Sequence, residues 1–279
     1  MFGVIFLFVL ALIWILFATV QDVRKREIAD WLNFSLIIFA LGFRFFYSLF
    51  FDVNFDFFYQ GLIGFGIFLV LGNLLYYGKM FAGGDAKLMI ALGAVLPFSV
   101  IFNENLRIFA LFFILFLLVG AAYSIGASIY LSFKNFRRFR KEFSRQFKKN
   151  KKLIMLSLFF AIVMAIFGFF NNLFFILGLV IFFLPYLYVY VKAVDETCMV
   201  KRIKSKELSE GDWLYKDLRI GKKTIKNKWD GLNKSEIKAI QKSLDFVTIR
   251  QGIPFTPVFL ISFILLFFFW RIGLGNSLW

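Results

Sequence analysis

The sequence predicts an all-α polytopic membrane protein of about eight transmembrane helices, with a small cytoplasmic α+β subdomain. Three observations carry this. Apolar residues make up 61% of the 279 residues and charged residues only 18%. The apolar residues are gathered into blocks of roughly 18 or more rather than spread at helical or strand period. All of the 33 Lys and Arg except Arg44, Arg107 and Arg271 fall in alternate polar segments, at 21–31, 78–87, 134–152 and 192–252. The outer loops carry Asp52, Asp56 and Glu104 instead. Such an asymmetry is the positive-inside bias, which places the N-terminus outside and these segments in the cytoplasm of a cell-membrane protein.

The first block, Phe2 to Val20, rises roughly 28 Å as a helix, enough to cross a hydrocarbon core. No positive residue precedes it, and Arg24, Lys25 and Arg26 follow it. A secretory signal has the reverse arrangement, so this block is read as a retained span. Further spans are expected at 32–51, 59–77, 87–102, 107–133, 153–170, 173–191 and 253–270. Only Asn171 and Asn172 divide 153–191, which leaves a hairpin or one kinked element open there.

Two polar segments stand apart. Residues 134–152 carry ten cations against Glu142, with Phe133, Phe136, Phe139, Phe143 and Phe147 spaced by three or four. That pattern predicts a basic amphipathic helix, either lying on anionic lipid with Phe inward or serving as a topology-setting loop. The +16 net charge therefore implies anionic membrane lipids as partners and no nucleic acid. Residues 193–252 are long enough for a membrane-supported subdomain. Asn233 with Glu236 predicts a capping box opening a helix through about Leu244, and Trp213, Leu214, Tyr215, Leu218, Ile220 and Ile225 predict a small core of short strands. The resulting organisation is a transmembrane region 1–133, a basic helix 134–152, a hairpin 153–192, a subdomain 193–252 and a terminal helix 253–279.

Histidine is absent and Cys198 is the one cysteine, which removes Ser-His-Asp and Cys-His nucleophiles, His or Cys zinc clusters and internal disulfides. Acid–base chemistry must come from Asp, Glu, Lys or Tyr. Carboxylates at a membrane edge are costly unless they face water or a partner. Asp22 follows the first span and Asp85 precedes the fourth, both at cytoplasmic helix ends of similar depth. If those helices are neighbours, the two carboxyls share a proton, and one polarises a carbonyl while the other activates water. The helix dipoles favour an anion on Asp85 and disfavour it on Asp22, making Asp85 the resting base and Asp22 the resting acid. Gly83 and Gly84 would let an extended backbone approach. Gly-Gly-Asp before a helix is equally an ordinary turn with Asp as N-cap.

Taken together, Asp22-Val23-Arg24-Lys25-Arg26-Glu27-Ile28-Ala29-Asp30-Trp31 and Ala82-Gly83-Gly84-Asp85-Ala86-Lys87-Leu88 resemble the two motifs of the type IV prepilin peptidases. These are membrane aspartyl proteases that include the archaeal preflagellin peptidases. Ala29 stands where that family usually has proline, and Ala82 where it has the first glycine of Gly-x-Gly-Asp. The resemblance covers roughly residues 1–135. It implies Asp22 and Asp85 as the catalytic pair, Gly83 and Gly84 as site-shaping, and no metal or organic cofactor. It also implies prepilin or preflagellin substrates with a short basic leader and an apolar helix, cut at the cytoplasmic face. Glu27, Asp30, Glu207, Glu210 and Asp212 are acids placed to hold such a leader. The missing cysteine cluster matches the protease-only archaeal branch, without methyltransferase activity. Gly211-Asp212-Trp213 and Gly252 to Pro257 look similar to the longer, pilin-processing members, with the preflagellin reading kept open. Two rival classes remain: a proton- or cation-coupled transporter, against which stand charge-poor spans and no visible repeat, and a catalytically inert assembly subunit.

Overall fold

A computed structural model describes residues 2–51, 55–221 and 223–273; the Asp52 of the charge argument lies outside them. The chain divides into two compact units, Met1–Ser124 with Pro254–Trp279, and Ile125–Ile253.

The first unit is helical: α1 (Phe2–Lys25), α2 (Asp30–Phe51), α3 (Asp56–Tyr77), α4 (Gly83–Gly93), α5 (Phe102–Lys134) as far as Ser124, and α10 (Thr256–Arg271). Each long helix buries one stripe and turns apolar side chains outward, as lipid-facing helices do. On α1 the stripe is Val4, Leu7, Ala11, Ile15, Ala18 and Asp22; on α2 it includes Leu36, Ala40, Arg44 and Ser48. Phe68, Phe81, Phe112, Phe116 and Phe259 fill the middle. Helices α3 and α4 meet backbone to backbone. A Cβ on Gly64 would stand 2.4 Å from the Gly93 carbonyl oxygen, and one on Gly93 2.4 Å from Phe68 Cβ. Only glycine permits that approach.

The continuous span expected at 87–102 is not a single helix. Helix α4 ends at Gly93, and Ala94 to Phe98 run irregularly while fully buried. Gly93 and Pro97 explain the stop, and Arg44 explains how it survives in an apolar interior. The guanidinium donates to the carbonyls of Ala94 (2.8 Å), Val95 (3.0 Å) and Pro97 (2.6 Å), and to that of Phe57 (2.9 Å). Non-helical backbone at membrane depth requires such internal donors. Asn105 completes the stretch by accepting from the Ser99 N–H (2.9 Å) and donating to the Ser99 carbonyl (2.7 Å).

The second unit opens with the end of α5 and continues through α6 (Phe136–Lys149), α7 (Lys151–Phe167) and α8 (Asn172–Val194). Helices α7 and α8 form the hairpin, so the kinked-element alternative at 171–172 falls away. The sharp bend, 68°, lies instead between α6 and α7. On the Phe face of α6, Phe139 meets Tyr190 of α8 and Phe147 meets Tyr186, with Phe143 between them, while Phe136 is exposed.

A polar segment follows. Strands β1 (Val200–Lys204), β2 (Trp213–Leu214) and β5 (Phe246–Arg250) form an antiparallel sheet in the order β1-β5-β2, and β3 (Leu218–Ile220) pairs with β4 (Lys223–Ile225). The expected capping box opens α9 (Lys234–Ser243): Asn233 Oδ1 accepts the Glu236 N–H at 2.9 Å, and Glu236 Oε2 accepts the Asn233 N–H at 3.1 Å. Leu214, Ile225, Leu232, Ile240, Val247 and Ile249 are its core.

The protein is thus mostly helical and multi-pass. Among the described residues five helices are long and apolar enough to cross a membrane, or six if the bent α6–α7 pair is one span. The expected eight is not reached because α4 and α10 are too short to count by length alone, and because α6 and α7 are bent.

Candidate active site

Helix α1 carries Asp22 as the last member of its buried stripe, and the chain then turns sharply. Arg26 takes a left-handed φ of 60°, its N–H bonding the Asp22 carbonyl at 2.9 Å. The turn delivers Ile28 and Ala29 to the start of α2. The Ala29 N–H donates to Gln21 Oε1 at 3.1 Å, a bond that proline could not make, so the departure at Ala29 has a local compensation.

The second segment begins at Ala82, the N-cap of α4, with φ −69° and ψ 160°. Any residue adopts that conformation, so alanine there needs no glycine. Asp85 is consequently not the N-cap of the simple turn reading. It is the third residue of α4, within the first turn. Gly84 lies under Ile28: a Cβ there would stand 3.2 Å from Ile28 Cβ. It therefore serves close packing of the two segments. Gly83 has only Tyr76 near, at 3.8 Å, and keeps the exposed side free.

Asp22 and Asp85 come within electrostatic reach of each other. Asp22 is 8% exposed, and its Oδ2 accepts two hydrogen bonds from Thr256, from the N–H at 3.0 Å and from Oγ1 at 2.7 Å. Asp85 keeps a partly exposed surface, yet protein surrounds its carboxyl closely. Burial first, and the Asp22 charge second, push that carboxyl up from 3.8 to about 7. Among the described residues no hydrogen bond or ion pair reaches the Asp85 side chain. The Asp22 carboxyl thus lies at the N-terminus of α10.

The remaining candidates separate. Asp30 opens α2 and is ion-paired with Lys87 of α4, both side chains being exposed. Glu27 is exposed. Glu210 pairs with Lys234 at 3.6 Å, and Asp212 accepts the Ser209 N–H at 2.8 Å; both belong to the second unit. Sequence reasoning missed Thr256 and the half-buried Tyr123 of α5, whose phenol feels the charges of Asp22 and Arg26. For Thr256 the signal was present as a hydroxyl between Pro254 and Pro257 at a helix start. Nothing in the sequence tied it to Asp22, 234 positions away.

The comparisons with known proteins fall on the same segments. Residues 9–125 match the model of the Type IV leader peptidase family, a range that includes Asp22, Gly83, Gly84 and Asp85 but not α10. A preflagellin peptidase of Methanococcus maripaludis is 31% identical over 90 residues, 32% of this chain and 38% of that protein. One from Methanocaldococcus jannaschii is 33% identical over 92 residues, again 32% and 38%. The chain thus matches well under half the length of these relatives. No solved structure matches. The motif residues of 22–31 and 82–88, gathered in one helical unit, lie within the residues 9–125 that match the model of the Type IV leader peptidase family.

Proposed function

We propose that the protein is a membrane aspartic endopeptidase that removes the short basic leader from preflagellin-like or prepilin-like proteins at the cytoplasmic membrane face. The observation that carries this is that Asp22 and Asp85, from α1 and α4 of one helical unit, lie within electrostatic reach inside the family-matched region. The orientation rests on the cation asymmetry of the loops. In this reading Asp22 is the base, which the Thr256 contacts support, and Asp85 is the acid, which its raised carboxyl supports.

In this mechanism Asp85 donates a hydrogen bond to the scissile carbonyl oxygen. Asp22 takes a proton from a water molecule as its oxygen adds to the carbonyl carbon. The tetrahedral intermediate then collapses: the C–N bond breaks, the amine leaves with a proton returned from Asp22, and the new acid is released. The reaction is hydrolysis without methyl transfer and needs no organic cofactor. Gly83 offers the open backbone edge beside the acid, and Glu27 is the exposed acid suited to a basic leader. The outward cationic face of α6, with Arg137, Arg140, Lys141 and Lys148, suits anionic headgroups.

The test is cleavage of a reporter preflagellin and a reporter prepilin in membranes by the parent, Asp22→Asn and Asp85→Asn. Each variant should lose about 10²–10⁴-fold in rate while inserting normally. Parent-like cleavage by either variant would sink the dyad. No cleavage by the parent of any leader would turn attention to the transporter and scaffold readings.

A further inference from the structure

We propose that Thr256, outside the family-matched region, is a positioning residue that holds the Asp22 carboxylate in its working orientation. The inference rests on the protease reading and deepens it. Thr256 is fully buried at the first position of α10, and both its donors converge on one oxygen, Oδ2. An aspartate side chain has two free torsions, and two donors on a single oxygen fix both. That leaves Oδ1 outside this pair of bonds, as the oxygen that takes the proton from water.

The local sequence supports a dedicated arrangement. Phe255 is the N-cap of α10 and makes no side-chain cap, and Pro257 has no N–H to give. The Val258 N–H is used by the Phe255 carbonyl at 3.0 Å. Thr256 is therefore the donor that the start of α10 offers to Asp22. A merely structural anchor would need only the backbone N–H, which any residue but proline supplies. The hydroxyl, at the shorter distance, is the feature beyond that need. The titratable groups that feel the Asp22 charge are Asp85 of α4 and Tyr123 of α5, the latter also feeling Arg26, while Asp30 of α2 is paired with Lys87.

Removing the hydroxyl withdraws a donor from the carboxylate, which favours its protonated form. The base is then lost at a higher pH, so the acid limb of cleavage moves up. The experiment compares the full-length parent, Thr256→Val and Thr256→Ser in membranes. Cleavage of a reporter preflagellin is followed across pH and normalised to inserted protein. Thr256→Val should shift the acid limb up by roughly 1 pH unit, lowering low-pH cleavage about tenfold. Its kcat should fall with little change in KM, and Thr256→Ser should restore the parent limb. An unmoved limb in Thr256→Val, or a shift in Thr256→Ser equal to that in Thr256→Val, overturns the inference. Thr256→Ala is read in the same way should Thr256→Val not accumulate, and failure of both to insert assigns Thr256 to folding alone and likewise overturns it. Asp22→Asn separates the two levels: if it cleaves normally the protease reading fails, whereas its inactivity beside an unmoved Thr256→Val limb refutes only the role of Thr256.

Discussion

Arg44 and Asp22 are both buried on the inner stripes of neighbouring helices, and the protein treats them in opposite ways. The guanidinium of Arg44 is fully buried and spends its donors on the carbonyls of Phe57, Ala94, Val95 and Pro97, with the Phe57 ring 4.3 Å from its centre. Nothing about it is left for a substrate. Asp22 is held, among the described residues, through Oδ2 by Thr256, within electrostatic reach of a second carboxyl whose residue is partly exposed. A buried charge in an apolar bundle is thus not by itself a functional sign. What separates the two is whether the partners close the group or leave one of its atoms available.

The largest expected effect breaks the structural half of this comparison. Arg44→Met leaves four carbonyls without donors, at about 1–3 kcal/mol each, enough to exceed the stability of a typical domain's margin. The variant should fail to accumulate or should aggregate in detergent, whereas Asp22→Asn should accumulate normally and lose cleavage. Equal thermal stability of Arg44→Met and parent would remove the distinction drawn here.

The next effect sharpens the functional half. The Asp85 carboxyl should titrate near 7, and in Asp22→Asn it should titrate lower while staying above 3.8, because burial, the larger cause, remains. The sign follows for activity: the acid is present below about 7 and is lost as pH rises through it, so cleavage declines on the alkaline side. The carbonyl stretching band of Asp85 in infrared difference spectra, assigned by its loss in Asp85→Asn, reports this directly. An ordinary titration of the band, near 3.8, would falsify the acid role.

Smaller effects distinguish the two glycines. Gly84→Ala presses on Ile28, at 3.2 Å, and should lower detergent stability. Gly83→Ala meets only Tyr76, at 3.8 Å, and should act on KM by crowding the open edge. Matching changes in both quantities for both variants would mean that Gly84 also faces the substrate. The smallest effect is that of Ala29→Pro, which restores the usual residue of the family but deletes the bond to Gln21, a change of about 1 kcal/mol or less.

Much of this was legible in the sequence, and for identifiable reasons. Asp22 stands four residues beyond Ala18 on the same stripe as Ala11 and Ile15, so its burial follows from helical period. The capping box at Asn233 and Glu236 is a local code read within four residues. Strand β1 escaped because three of its five residues, Lys201, Arg202 and Lys204, are cations, so pairing with β5 rather than pattern made it a strand. The span at 87–102 was misread because hydropathy registers that a segment is apolar, not that Gly93 and Pro97 interrupt its helix.

The sequence by itself determined the membrane class, the polarity of the loops and the two motif segments, because each rests on composition or on neighbours a few residues apart. Only the tertiary structure decided what surrounds the two carboxyls: Asp22, at the end of α1, receives Thr256 of α10, 234 positions away, and burial raises the Asp85 carboxyl. Protonation depends on desolvation and on donors brought from distant segments, and no local pattern encodes those.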